Sequence, residues 1–332
     1  MSAVAVLGAG SWGTALAMQL ARNGRQVRLW GRDGAALGEM RRRRENHRYL
    51  PGVPFPAGLD AEPDLDTALA AAGDLLIAGP SHAFAALLEP VVDRVRQAGG
   101  LAWASKGFET GSGRFLHEIA AEKLGDGVPL ALVTGPSFAR EVAEDKPTAV
   151  TVAASREPFG RHWAALLHGG SFRAYYSADL IGAELGGAVK NVLAIATGLA
   201  DGMALGHNAR AAIITRGLAE MMRLGRALGA DPRTMMGLAG VGDLVLTCTG
   251  DLSRNRRLGL ALGRGLTVEA ARGEIGQVVE GIQTAEEVMR LALRHHVEMP
   301  ICEQVHGILF RGWSPAKGVE VLLGRDLKRE TQ

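Results

Sequence analysis

The chain has 332 residues, of which 47% are hydrophobic and 22% are charged, and its formal net charge is +2. This composition excludes a mainly disordered chain, and a charge so close to zero gives no indication of a nucleic-acid partner. The length predicts about two domains of roughly 150 residues each. The two cysteines, Cys248 and Cys302, have neither metal-ligand nor redox spacing, so we expect no disulfide framework and no metal site.

The sequence also bears on the compartment. No basic segment precedes the first predicted strand, so no signal peptide is expected. No run of about 18 uncharged apolar residues occurs, so no membrane insertion is expected. Together with the cysteine pattern, these features predict a cytoplasmic protein.

A glycine-rich turn follows the first predicted strand, which ends at Leu7. After the turn come a helix-like segment and a second strand, Val27–Trp30. The turn reads GAGSWG from Gly8 to Gly13. In this strand–turn–helix–strand context, GxGxxG predicts dinucleotide binding rather than a merely glycine-rich turn. Gly8 allows the tight turn, Gly10 lets the backbone approach a pyrophosphate, and Gly13 lets the helix pack on the strand. The helix N-terminus offers N–H groups to the phosphates.

The residues after the second strand bear on the choice of cofactor. An acidic residue there usually binds the ribose hydroxyls of NAD, whereas an arginine accepts the 2′-phosphate of NADP. Arg32 precedes Asp33, so we favour NADPH and leave NADH open. The arginine run Arg41–Arg44 is interpreted as a solvated helix face rather than a nucleic-acid patch. Tyr49 lies in a proline-rich loop.

Strands and helices alternate through the first half of the chain. The predicted strands are Val4–Leu7, Val27–Trp30, Asp74–Gly79, Leu101–Ser105, Leu130–Thr134, Thr148–Ala153 and Phe172–Tyr176; the predicted helices are Thr14–Arg22, Asp64–Ala72, Ala83–Arg96 and Pro158–Leu167. Alternation predicts a doubly wound parallel sheet, in which ligands lie beyond the carboxyl ends of the strands. Polar and glycine residues gather there, in PSHAF, SKG and GPSFA. Lys106 of SKG is either a surface lysine or a ligand contact.

After Asp179 the pattern becomes helical. Helices are predicted over Leu185–Leu199 and Ala209–Leu228, from Thr234, and over Leu258–Leu262, Glu269–Arg272, Thr284–Arg294 and Ile301–Phe310. We therefore predict a cofactor domain at residues 1–180 and a helical domain at residues 181–332.

Lys190 is the only charged side chain in the apolar helix predicted over Leu185–Leu199. Burying an ammonium is costly unless it has partners. A lysine held in such surroundings is suited to proton transfer. The alternative is a lysine whose stem lies along the helix while its ammonium reaches water.

Two later stretches suggest a site for a polar, anionic ligand. Asp243, between glycine and an apolar run, is either a helix cap or a partner for a substrate hydroxyl. Ser253, Arg254 and Asn255 precede a predicted helix and are suited to binding an anion. The alternative for this segment is a solvated basic turn.

Eight motifs between residues 8 and 281, in this order, resemble those of the bacterial-type NAD(P)-dependent glycerol-3-phosphate dehydrogenases. They read GAGSWGTALA, PSHAF, SKG, GPSFA, LGGAVKNVLAIATG, GLAGVGDLVLTC, SRNRRLG and GQVVEG. The resemblance implies a Rossmann domain followed by an all-α domain of the 6-phosphogluconate dehydrogenase C-terminal type. It also implies reversible hydride transfer between NAD(P)H and dihydroxyacetone phosphate, giving sn-glycerol 3-phosphate for glycerophospholipid synthesis, and a homodimer.

The resemblance assigns roles to single residues. Lys190 matches the proton donor and acceptor. Substrate-contacting positions match Lys106, Gly135, Ser137, Lys190, Asp243, Ser253, Arg254 and Asn255. Cofactor-contacting positions match Ser11, Trp12, Arg32, Tyr49, Lys106, Ala139, Arg254, Val278 and Glu280, which join Gly8, Gly10 and Gly13 of the turn. Ser137 stands where many relatives have threonine, and it keeps the hydroxyl.

Two other classes of protein are considered. The β-hydroxyacid dehydrogenases also join a Rossmann domain to a helical domain and use a GxxxK helix. Gly186 and Lys190 fit that pattern, but Ala194 stands at its later asparagine. A dinucleotide-sensing protein would bind cofactor without turnover, and it gives no reason for a lone lysine in an apolar helix.

Overall fold

The computed structural model describes residues 3–326. The chain forms two compact units. The sheet unit comprises Met1–Gly187 and Gly229–Asp243, and the helical unit comprises Ala188–Leu228 and Leu244–Gln332. The sequence predicts a single boundary, after residue 180. In the structure the chain passes from one unit to the other three times, after Gly187, Leu228 and Asp243.

The sheet unit contains eight strands in the order β3-β2-β1-β4-β5-β6-β7-β8. They are β1 (Ala3–Leu7), β2 (Val27–Trp30), β3 (Leu59–Ala61), β4 (Ala72–Ile77), β5 (Leu101–Trp103), β6 (Leu130–Thr134), β7 (Thr148–Ala154) and β8 (Phe172–Ser177). Strands β1 to β6 are parallel, which confirms the doubly wound core. The sheet departs from the parallel arrangement at one edge, where β7 runs antiparallel to β6 and β8 runs parallel to β7.

Both faces of this sheet are covered by side chains, as a doubly wound fold requires. Val4 and Val6 of β1 belong to one hydrophobic cluster, with Leu20 of the first helix. Ala5 and Leu7, which point to the opposite face, belong to a second cluster with Trp103.

The helices are α1 (Ser11–Arg22), α2 (Gly34–Arg43), α3 (Leu65–Ala70), α4 (Phe84–Leu88), α5 (Val92–Ala98), α6 (Leu116–Leu124), α7 (Ala139–Ala143), α8 (Glu157–Leu167), α9 (Leu180–Gly202), α10 (Gly206–Ala227), α11 (Pro232–Met235), α12 (Asp243–Thr249), α13 (Arg254–Gly263), α14 (Val268–Ile275), α15 (Glu280–Arg294), α16 (Pro300–Phe310) and α17 (Pro315–Leu323). A π-helical turn, Leu238–Gly242, precedes α12. Within the described residues, the helical unit has helices and no strands.

Three helices of the sheet unit differ from their predictions by more than one residue. The single helix predicted over Ala83–Arg96 is wrong, because a 3₁₀ turn at Glu89–Val91 separates α4 from α5, and Pro90 has no N–H to continue a helix. The helix predicted over Asp64–Ala72 is shorter, because Asp64 caps its start and Ala72 begins β4. Helix α1 starts three residues before the predicted Thr14, directly after Gly10.

Helix α9 is long and apolar enough, by length and composition, to cross a membrane. However, 94% of its apolar stretch is buried in the protein, as in the core helix of a folded domain. It carries both Lys190 and Asn191, which are buried.

Candidate active site

The glycine-rich turn at the end of β1 forms an open cradle. Gly8 has a φ of 130°, and a Cβ there would lie 2.7 Å from the backbone of Ala78. A Cβ on Gly13 would lie 1.9 Å from the carbonyl oxygen of Gly8, whereas no atom lies within 4 Å of a Cβ built on Gly10. The first N–H groups of α1 have no partner within the helix. This space and these donors fit the pyrophosphate of a dinucleotide.

Two side-chain features complete this part of the cradle. Ser11 and Trp12 form the first turn of α1, and the indole Nε1 of Trp12 is buried without an acceptor among the described residues. Ala139, the first residue of α7, packs against the same core cluster as Trp12.

Asn46 connects the loop of Tyr49 to the glycine-rich turn. It is fully buried, and its Nδ2 donates to the carbonyl oxygen of Ala9 (3.0 Å) and to Oγ1 of Thr14 (2.8 Å). Its Oδ1 accepts from the N–H of Tyr49, whose ring is half-buried. The sequence analysis missed Asn46, because an asparagine at the edge of a loop has no pattern that separates a buried brace from a solvated turn residue.

Arg32 and Asp33 follow β2 and have different surroundings. Asp33 caps α2, because its Oδ1 accepts from the N–H of Ala36 at 3.0 Å. Arg32 is exposed. A local role in helix capping therefore accounts for the acidic residue.

Lys106, Gly135, Ser137 and Asp243 come together at the carboxyl ends of β5 and β6. Lys106 Nζ donates to Oδ2 of Asp243 (2.8 Å) and to the carbonyl oxygen of Gly135 (3.1 Å). Ser137 Oγ donates to the same carbonyl at 2.9 Å. The side chains of Lys106 and Asp243 are 12% and 1% exposed, so this lysine is paired and not a solvated surface residue. Asp243 lies in the first turn of α12 rather than at its cap.

Lys190 is buried in α9, with 7% of its surface exposed. Its neighbours Val189 and Val192 are fully buried, and its Nζ donates to Oγ1 of Thr247 at 3.1 Å. This burial does not fit the alternative of a lysine on a solvated face of the helix. The sequence analysis missed Thr247, because a threonine within an apolar run is typical of an ordinary helix core.

Ser253, Arg254 and Asn255 form the N-terminus of α13. The helix begins at Arg254, four residues before the predicted start at Leu258, because Oγ of Ser253 caps it by accepting from the N–H of Arg256 (3.2 Å). The segment is thus a capped first turn rather than a turn that precedes the helix. Its N–H groups and the positive end of the helix dipole favour an anion.

The side chains of this turn are held in different ways. Arg254 is half-buried, and its Nη1 donates to the carbonyl oxygen of Val278 at 2.8 Å. Val278 lies two residues before Glu280, the first residue of α15. Asn255 is buried. Its Nδ2 donates to Oδ1 of Asn191 (2.8 Å) and its Oδ1 accepts from the N–H of Gly281 (2.9 Å), so both ends of the amide are held within the protein.

Comparison with known proteins finds the same family that the sequence motifs resemble. The family described as NAD-dependent glycerol-3-phosphate dehydrogenase matches residues 3–159 with its N-terminal part and residues 179–320 with its C-terminal part. Glycerol-3-phosphate dehydrogenase (NAD(P)+) of Stenotrophomonas maltophilia strain K279a is 58% identical over 327 residues, which cover 98% of this chain and 96% of that protein. The enzyme of the same name from Xanthomonas euvesicatoria pv. vesicatoria is 58% identical over 328 residues, with the same coverage.

A solved structure has a similar fold. The crystal structure of glycerol-3-phosphate dehydrogenase from Coxiella burnetii matches with a TM-score of 0.94 and 48% sequence identity. The match covers 98% of this chain and 99% of that one.

Proposed function

The chain belongs to the NAD-dependent glycerol-3-phosphate dehydrogenase family, and from this premise we propose that it reduces dihydroxyacetone phosphate to sn-glycerol 3-phosphate for glycerophospholipid synthesis. The observation that carries the proposal is Lys190, a buried lysine on an apolar helix. The anion-binding turn Ser253–Asn255 belongs to the same structural unit. A proton donor and a phosphate site in one unit are what reduction of a phosphorylated ketone needs.

Substrate binding and proton transfer are divided between two elements. The N-terminal N–H groups of α13 and the guanidinium of Arg254 hold the substrate phosphate, and Ser253 and Asn255 fix the shape of that turn. Lys106 and Asp243 are proposed to contact the substrate as a pair, beside Gly135 and Ser137.

Lys190 acts on the oxygen at which charge develops. As a hydride reaches carbonyl C2, the ammonium of Lys190 gives a proton to the carbonyl oxygen, and the product is a secondary alcohol. In the reverse direction the neutral amine accepts the hydroxyl proton. The hydroxyl of Thr247, 3.1 Å from Nζ, orients the lysine.

A nicotinamide dinucleotide supplies the hydride when it is bound. The turn with Gly8, Gly10 and Gly13 would hold its pyrophosphate, as the open space at Gly10 indicates. Further contacts are proposed for Ser11, Trp12, Tyr49, Lys106, Ala139, Arg254, Val278 and Glu280. We propose a preference for NADPH, because Arg32 is exposed for a 2′-phosphate while Asp33 caps a helix.

The direct test is oxidation of NADPH and of NADH with dihydroxyacetone phosphate, with unphosphorylated dihydroxyacetone as the matched control. We expect turnover that requires the phosphate and a higher kcat/KM with NADPH. Absence of turnover from folded protein that still binds NADPH would contradict the proposed substrate, and a screen of 3-hydroxy acids would then test the alternative dehydrogenase class. Equal or better use of NADH would contradict the role given to Arg32.

The homodimer, the cytoplasmic compartment and the absence of membrane insertion stay predictions. Light scattering after size-exclusion chromatography tests the first of them, since a dimer has about twice the mass of the 34.9 kDa chain.

A further inference from the structure

Arg256 differs from the other arginines of the SRNRR segment because it is buried, with 8% of its surface exposed. Its Nε and Nη2 donate to Oδ2 of Asp201 at 3.0 and 2.7 Å, and its Nη1 donates to Oδ1 of Asp251 at 2.7 Å. Three of its nitrogens are therefore engaged inside the protein. Arg254 is half-buried and Arg257 is exposed, so Arg256 has a role different from that of an anion-binding surface arginine.

Asp201 connects three helices through one carboxylate. It lies in the last turn of α9, and its second oxygen, Oδ1, accepts from Nε and Nη2 of Arg210 on α10 at 2.8 and 2.7 Å. Its side chain is 7% exposed. A buried arginine near the N-terminus of α13 is disfavoured both by desolvation and by the helix dipole, so Asp201 is the group that makes this position possible for Arg256.

Helices α9 and α13 also touch along their backbones. A Cβ on Gly198 would lie 2.0 Å from the carbonyl oxygen of Arg256, and a Cβ on Gly259 would lie 2.0 Å from that of Ile195. The two helices therefore pack closely and leave little room for one to slide along the other.

The first turn of α13 is thus tied to α9 at two points. One is the hydrogen bond between Asn255 and Asn191, the residue next to Lys190, and the other is the ion pair between Arg256 and Asp201. Lys190 and the phosphate-binding turn are therefore both positioned relative to the same helix.

We propose that the Asp201–Arg256 ion pair is a positioning device that sets the distance between the phosphate-binding turn Ser253–Asn255 and the amine of Lys190. The inference rests on the proposed function, in which that turn binds the substrate phosphate. Arg256 occupies the third position of α13, so a shift of its backbone displaces the N–H groups that face the anion. A misplacement of about 1 Å in a bound substrate is enough to cost roughly 10²-fold in rate.

The test is Asp201→Asn in the full chain, which keeps the size and one acceptor but removes the charge. We expect the KM for dihydroxyacetone phosphate to rise about tenfold or more, since a buried arginine loses its partner. The inhibition constant of inorganic phosphate, measured as a competitor of that substrate, is expected to rise by a similar factor. The KM for NADPH is expected to rise clearly less than these two constants, because Arg254 is the only proposed cofactor contact on the displaced turn and the glycine-rich turn belongs to the other unit.

Asp251→Asn is the matched control. It removes the other carboxylate that touches Arg256, but Asp251 is 95% exposed, and an exposed ion pair contributes little. The two KM values, for dihydroxyacetone phosphate and NADPH, and the inhibition constant of phosphate should therefore stay near the wild-type values. Arg256→Lys is the second variant if Asp201→Asn does not fold. It keeps the charge opposite Asp201 but loses the planar fork, so it should change the same two constants in the same direction.

Several outcomes would overturn the inference. One is an unchanged KM for dihydroxyacetone phosphate in both Asp201→Asn and Arg256→Lys, and another is an equal rise in the KM for NADPH, which would indicate a general distortion. Equal effects of Asp251→Asn would also contradict it. If the wild-type protein neither turns over dihydroxyacetone phosphate nor binds inorganic phosphate, the proposed function fails and this inference fails with it. An active, phosphate-inhibited wild type with unaffected variants rejects the inference alone.

Discussion

Lys190 has the surroundings that the proposed proton transfer needs. Its amine lies among side chains that are fully buried, and the hydroxyl of Thr247 accepts one of its hydrogens. An ammonium removed from water interacts strongly with any oxygen that gains negative charge nearby, because the local dielectric is low. This physical setting favours a proton donor over a merely structural cation.

Lys190→Met tests the role of this amine. Methionine keeps an unbranched side chain but cannot donate a proton, so kcat for dihydroxyacetone phosphate should fall by about 10²–10⁴-fold. Steady-state kinetics measures the loss, and a fluorescence titration with NADPH should give an unchanged dissociation constant.

Arg257→Met is the matched control, because it removes an exposed cation that has no role in the proposed chemistry. It should leave kcat close to the wild-type value. A Lys190→Met variant with near-normal turnover would show that another group transfers the proton.

Four glycines allow helices α9 and α13 to pack closely against each other. Cβ atoms on Gly198, Gly202, Gly259 and Gly263 would all lie 2.0 to 2.4 Å from a carbonyl oxygen of the facing helix. No flexible side chain is available to move aside, because the facing atoms belong to backbone. The two helices can therefore pack at this distance only with glycine at these positions.

Gly259→Ala should destabilise the protein by about 1–3 kcal/mol or more, because the added methyl group forces two buried backbones apart. Gly273→Ala in α14 is the matched control. No atom lies within 4 Å of its Cβ position, so the same change should be neutral or raise the free energy of unfolding by up to about 1 kcal/mol. Urea unfolding followed by circular dichroism measures both. Equal stability of the two variants would contradict a tight contact between these helices.

Local signals predicted the elements around the cofactor cradle well. Strands β2 and β6 have the predicted bounds, and α1 ends at the predicted Arg22 but starts three residues before the predicted Thr14. Strand β3 was not predicted, because three residues beside prolines carry too little pattern. The antiparallel direction of β7 was not predicted either, since direction depends on pairing with a distant strand.

The candidate site depends on contacts between residues that are far apart in the sequence. No local sequence pattern indicates such contacts. Lys106 and Asp243 were both singled out, but their ion pair joins residues 137 positions apart. Asp201 and Arg256 are 55 positions apart, and no local pattern pairs them. Residue types and motifs indicate which side chains are candidates for chemistry, whereas the partners of those side chains follow from the three-dimensional packing.

Glu220 shows how one buried acid influences the stability of the protein. It lies on α10, and its carboxylate accepts from the N–H groups of Ile301 (2.6 Å) and Cys302 (3.2 Å) at the start of α16. Burial raises the pKa of Glu220 from 4.5 to about 7, against the opposite influence of those N–H donors. Burial also raises the pKa of the adjacent Cys302 thiol.

The raised pKa of Glu220 predicts a specific pH dependence of stability. Between pH 4.5 and about 7 the folded protein holds a proton on this carboxyl that the unfolded chain has released. The Glu220 contribution to the free energy of unfolding therefore falls as the pH rises through this window, by about 1.4 kcal/mol per unit and about 3 kcal/mol in all, and is constant above it.

Glu220→Gln removes this titration while keeping an oxygen that accepts from the same N–H groups. The free energy of unfolding of the variant, relative to wild type, should therefore increase as the pH rises from 4.5 to 7. Urea unfolding at half-unit steps measures the difference. Glu303→Gln, at an exposed position on α16, changes the charge count equally and should follow the wild-type curve. A constant difference between Glu220→Gln and wild type across this range would mean that the buried carboxyl is already ionised at pH 4.5, so that its two N–H donors outweigh its desolvation.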